Sequence, residues 1–240
     1  MLGIIAGADP NDPTASREPV PDYLSGLDSN LRNLRVGIDE RYIGDGVDAP
    51  TTQAVREALA VLRALGADVR AVAFPAPEAI LADWGPNCAV EAAVAHECTY
   101  PARRSAYGPA LAGFLDEGRG VTGMQFQRIL LRRRDFAGRV AALFDDVDLL
   151  LVPVQPFASP TIAQLGATIA DAEGLASLIR FTAPFDMSGH PTITLPAGFT
   201  ESGTPVAFQL VAAHMREQVL VRAGRAFQRE TTWHRRHPRL

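Results

Sequence analysis

The sequence contains no lysine: all 23 of its Lys+Arg residues are arginine. A lysine base therefore cannot come from this chain, and neither can the lysine of a phosphate-cradling G-x-x-x-x-G-K-[ST] loop. No cofactor is implied. Cysteine is scarce, with Cys88 and Cys98 in one helical region. Such a pair excludes a disulfide framework and fits a reducing cytoplasm. The N-terminus has no basic segment followed by an apolar one, and no apolar run is long enough to span a bilayer. A soluble cytoplasmic protein without a membrane partner is expected. The formal net charge of -4 gives no reason to expect nucleic acid as a partner. His234 and His237 near the end are too few ligands for a metal site.

What is present is an α/β pattern. Residues 1–33 form an extended lead-in, with turn formers from Asp9 to Pro13 and then Pro19 and Pro21. Residues 34–240 form the α/β body, with no clear domain break. Leu34–Ile38 reads as a buried strand. Pro50 opens a helix carrying Ala54, Val55, Ala58, Leu59, Leu62 and Leu65 at helical spacing, and Gly66 stops it. Ala67–Phe74 follows as a strand, and strand–helix–strand predicts a parallel pair with a right-handed crossover. Pro77 to about Phe144 is mostly helical, with a capping box at Thr122–Gln125. Asp148–Pro153 reads as a fully buried central strand. A further helical segment runs from about Asp171 to Phe181. Thr192–Leu195 and Val206–Val211 are strands joined by a Gly198–Gly203 loop. A last helix carries Val219, Leu220, Ala223, Ala226 and Phe227 on one face.

Few residues invite a catalytic reading on their own. Arg132–Arg134 reads as a charged outer helix face. Glu91 and His96 offer an acid–base pair or, more simply, a surface Glu and a half-buried His. Cys98 after His96 lacks an orienting third group for a thiol nucleophile. Ser188 and His190 are close in sequence, but Asp186 and His190 occupy the glycine positions of a G-x-S-x-G elbow. Gly189 and Pro191 instead predict a turn into the strand at Thr192. Arg235, Arg236 and Arg239 make a short basic tail.

The stretch Thr182-Ala-Pro-Phe-Asp-Met-Ser-Gly-His-Pro, followed by Leu195-Pro-Ala-Gly-Phe and by Ala207-Phe-Gln-Leu, resembles the end of the amidase signature family. Members usually carry T-x-P-F-N-x-x-G-x-P and then an L-P-V-G-L-Q-L strand. Ile5–Pro13, Leu34–Ile38, Asp148–Pro153, Glu217 and Trp233–Pro238 match further family phrases in order. The resemblance implies an α/β chain that is the C-terminal part of the amidase signature fold, a mixed β-sheet flanked by helices. It implies hydrolysis of a C–N amide bond by a Ser–cis-Ser–Lys triad carried upstream, with none of these catalytic residues in residues 1–240. It places Arg133 at the substrate pocket, where a planar guanidinium suits an amide or carboxylate oxygen. It places the Asp186, Ser188 and Gly189 loop along the cleft, with Asp186 replacing the usual Asn. Ile179 stands where tRNA-dependent amidotransferase A subunits carry an acidic residue, which favours a general amidase.

The expected partners are a small-molecule amide substrate in the full-length context and a chain carrying the missing N-terminal half. Alone, the chain is expected to be inactive. The alternatives are a non-catalytic binding or regulatory subunit that pairs with a signature-bearing chain, or a truncated gene product with an unpaired sheet edge.

Overall fold

The computed structural model describes residues 1–158 and 160–237. Pro238 and Arg239, part of the family phrase and the basic tail, lie outside the described residues. In chain order the elements begin with α1 (Leu2–Ile5), β1 (Arg35–Ile38), α2 (Glu40–Gly44), α3 (Ala49–Ala64) and β2 (Asp68–Ala71). Three longer helices follow: α4 (Glu78–Ala95), α5 (Pro109–Gly120) and α6 (Gly123–Leu143). The remainder is β3 (Leu149–Pro153), α7 (Ile162–Thr168), α8 (Ala172–Ile179), α9 (Ala183–Ser188), β4 (Thr192–Phe199), β5 (Pro205–Ala212) and α10 (Glu217–Glu230).

The chain divides into two compact units, each assembled from separated stretches. One takes Met1–Ala73, Phe144–Ser159 and His190–Leu240, and the other takes Phe74–Leu143 and Pro160–Gly189. The sequence shows no domain break because the chain passes between the units at 73/74, 143/144, 159/160 and 189/190 rather than once.

The first unit is built on a five-stranded sheet in the order β2-β1-β3-β5-β4. β1 pairs in parallel with β2 and with β3, and β5 runs antiparallel to both β3 and β4. The sheet is therefore mixed, and the expected β1–β2 parallel pair is present. Every residue of β3 is buried, as its unbroken apolar run predicts. At the mouth of β3, Asp148 accepts from the Arg35 backbone N–H at 2.8 Å and from Arg35 Nη2 at 2.9 Å and Nε at 3.2 Å. The Arg35 hydrogen bond is the main reason the Asp148 carboxyl lies below its usual range.

Two helices close on this sheet and on each other. In α3 the Asp48 side chain caps the Thr51 N–H, Pro50 sits in the first turn, and Ala54, Val55, Ala58, Leu59 and Leu62 are buried. α10 buries Val219, Leu220, Ala223, Ala226 and Phe227. Phe227 meets Phe208 of β5 edge-on, with ring centroids 4.9 Å apart.

The second unit is helical. The expected helical stretch from Pro77 resolves into α4, α5 and α6 rather than one run. The Thr122 capping box is formed: Thr122 N–H donates to Gln125 Oε1 at 2.8 Å, and Gln125 N–H to Thr122 Oγ1 at 3.3 Å. α5 approaches α4 so closely that a Cβ on Gly118 would sit 2.0 Å from Ala89 O. Phe136 of α6 packs edge-on against Phe74, which packs in turn against Phe185 of α9. Sequence reading missed α7, whose Thr161–Gln164 capping box is fully formed. Among the described residues, no helix is long and apolar enough to cross a membrane.

Phe208 is fully buried, so Phe208→Ala should open a cavity between β5 and α10. The expected loss is about 3–5 kcal/mol of unfolding free energy, measured by urea denaturation. A loss below ~1 kcal/mol would contradict this packing.

Candidate functional site

The four residues expected at a pocket converge in the helical unit. α9 is a short helix that begins with Pro184 in its first turn and ends at Gly189, in the left-handed region at φ 74° and ψ 12°. The Gly189 N–H donates to Phe185 O at 2.8 Å. A helix end leaves carbonyls without intrahelical donors. Here Arg133 of α6 supplies them: its Nε donates to Met187 O at 2.8 Å and its Nη2 to Asp186 O at 3.4 Å. A cation in this position also suits the helix dipole. Arg133 Nη1 lies 3.7 Å from Glu91 Oε1 on α4. The guanidinium edge expected to grip substrate therefore holds the α9 turn in this structure.

Asp186 is exposed, and its Oδ2 accepts from the Trp84 indole N–H at 3.1 Å. Ser188 is buried and donates through Oγ to Phe185 O at 3.5 Å. Trp84, Cys88 and Glu91 follow at i, i+4 and i+7 on α4, which places them on one face. Burial pushes the Cys88 thiol up, helped by the negative charges of Glu91 and Asp186 and opposed by Arg133. It is held as a neutral thiol, not an activated nucleophile. This α4 stripe was not recognised in the sequence, although its spacing was the available signal.

The arginine triplet is not a uniform solvated face. Arg132 forks onto the buried Asp83 of α4, with Nε to Oδ2 at 2.6 Å and Nη2 to Oδ1 at 2.7 Å. Glu91 and His96 are not brought together as an acid–base pair. Glu91 faces Arg133, whereas His96 Nδ1 meets the Tyr107 hydroxyl at 3.1 Å. Cys98 is exposed.

Ser188 and His190 fall in different units. His190 is buried in the sheet unit, its ring stacked on Phe144 at 5.2 Å and on His214 at 4.0 Å between centroids. Burial, with a smaller contribution from His214, pushes the imidazole down to about 4. Trp233 packs near Phe199, and Arg236 lies over both rings, which gives this aromatic end a packing role. Among the described residues, no three His, Cys, Asp or Glu side chains converge as a metal site.

A family model described as Amidase matches residues 1–221. The chain is 41% identical over 238 residues to the "Putative amidase AmiD" of Mycobacterium tuberculosis (strain H37Rv), covering 99% of this chain and 50% of that protein. It is 32% identical to an "Amidase" of Pseudomonas putida, covering 100% of this chain and 52% of that protein. Among solved structures, 6-aminohexanoate cyclic dimer hydrolase superposes with a TM-score of 0.84 at 28% identity, over 99% of this chain and 53% of that one. The chain thus spans about half the length of the curated relatives it matches.

Two outcomes follow from this geometry. Arg133→Met should leave the α9 carbonyls unmatched, costing about 1–3 kcal/mol and speeding amide exchange at Gly189; unchanged exchange there would contradict the role given to Arg133. The second concerns pH. His190 is held below its ordinary 6.5, so the unfolded chain binds more protons between those values and folding stability falls as pH drops from about 6.5 to 4. The urea midpoint of His190→Phe should be flatter across that window than that of the natural chain, and parallel profiles would refute the assignment.

Proposed function

This chain belongs to the amidase family, and from that premise we propose that it is the C-terminal part of an amidase signature hydrolase that cleaves a C–N amide bond of a small molecule. The observation that carries the proposal is the complete absence of lysine in a chain spanning about half the length of its relatives. In the reading supported by the family resemblance, a serine attacks the amide carbonyl and forms an acyl-enzyme. A second serine and a lysine relay the proton to the leaving amine, and backbone N–H groups hold the oxyanion. Those groups come from residues outside this sequence, in the same polypeptide or in a partner chain.

This chain contributes one wall of the pocket. Asp186, Ser188 and Gly189 form the turn that faces substrate, and Arg133 fixes that turn through the Met187 and Asp186 carbonyls. The free cysteines support a cytoplasmic location. A regulatory subunit paired with a signature-bearing chain is the alternative reading.

The purified chain should release no ammonia or amine from a panel of aliphatic and aryl carboxamides. Co-expression with a segment bearing the serines and lysine should restore turnover. Turnover by the chain alone would overturn the proposal, and a stable complex without turnover would favour the regulatory reading.

A further inference from the structure

A cavity of about 890 Å³ lies in the sheet unit, apart from the residues proposed to face substrate. It is bounded by the turn at Pro21–Gly26, the approach to β1, the entry to β3 and the start of α10. Four arginines line it: Arg32, Arg35, Arg216 and Arg222. Arg35 is neutralised by Asp148. The other lining carboxylate is Asp22, whose Oδ1 accepts the Leu24 N–H within its own turn. Four guanidiniums thus share two lining carboxylates: Asp148, held by Arg35 and also drawn on by Arg216, and Asp22, hydrogen-bonded within its own turn.

Several further features point the same way. Arg222 Nε is buried with no hydrogen-bond partner among the described residues, and a buried donor left unmade is costly and uncommon. Gln218 and Val219 also line the cavity and share the Arg222 face of α10, four and three residues before it. α10 has no side-chain cap at Arg216, so the positive end of a 14-residue helix adds to the field. Among the described residues, the two non-glycine residues with positive φ are Asn33 (66°) and Met215 (62°). Asn33 lines the cavity, and Met215 precedes the lining Arg216. Such backbone persists where the surroundings over-determine it.

We propose that this cavity binds the oxyanion group of a small anionic molecule, a phosphate or a carboxylate, with Arg222 as its central ligand and Arg32 and Arg216 at its sides. The planar forks of arginine match either group, and three cations repay desolvation of a dianion better than of a monoanion. Phosphate is therefore the expected class. The inference does not depend on the amide-bond reading.

The test is thermal stability of the whole chain at constant ionic strength, titrated with inorganic phosphate, glutarate or chloride. Phosphate should raise the midpoint saturably and chloride should not. Arg222→Gln should weaken phosphate about tenfold, while Arg134→Gln on α6 leaves it unchanged. A saturable response to glutarate alone would assign the carboxylate class. Phenylglyoxal footprinting of the natural chain provides a readout that needs no variant: phosphate should protect Arg32, Arg216 and Arg222 but not Arg134. No saturable shift by either oxyanion, or equal protection of all four arginines, would overturn the proposal.

Discussion

β3 is buried along its whole length, so its backbone groups must be met by neighbours on both edges. A buried strand has no water to turn to, and each orphaned amide would cost as much as a lost hydrogen bond. β1 supplies one edge in parallel and β5 the other antiparallel, and that pairing makes the sheet mixed. The rest of the unit follows outward from β3. β2 extends the parallel side, the β4–β5 hairpin the antiparallel side, and α3 and α10 cover apolar residues that the sheet alone would leave wet. The Arg35–Asp148 pair fixes the register where β1 and β3 begin.

Having arginine as its sole cationic residue besides histidine gives the chain a particular kind of fastening. A guanidinium presents donors in a flat fork, whereas an ammonium is a point charge. Three of these forks act as staples between elements: Arg35 on Asp148, Arg132 on Asp83, and Arg133 on the α9 carbonyls. The last sets the turn carrying Asp186, Ser188 and Gly189, the proposed wall of the substrate pocket. Around the sheet-unit cavity, Arg32 and Arg222 have no acidic staple of this kind, and there the same chemistry is proposed to be open to a ligand.

The strands were legible because their signals are local. An unbroken apolar run marked β3, and alternating turn formers bounded β4 and β5. The α3 and α10 stripes declared their buried faces by spacing alone. Three things were not legible. The two units interleave along the chain, so composition has no boundary to show. Arg132 and Arg133 looked like a solvated face because their partners, Asp83 and the α9 carbonyls, lie about 50 residues away in sequence, and one of those partners is backbone. Glu91 and His96 read as a surface Glu and a half-buried His, as the structure has them, but the partner of Glu91, Arg133 across the helices, lies too far along the chain to be read. The family phrases around Thr182 and Gln209 were readable without any of this.

The proposed position of the amide-cleaving nucleophile is outside these 240 residues. It is tested most directly by treating the protein isolated from its native cells with a serine-directed fluorophosphonate and mapping the adduct by peptide mass spectrometry. The expected adduct is on a serine in a segment or partner chain that also carries a lysine. An adduct on a serine of this sequence, Ser188 above all, would contradict it.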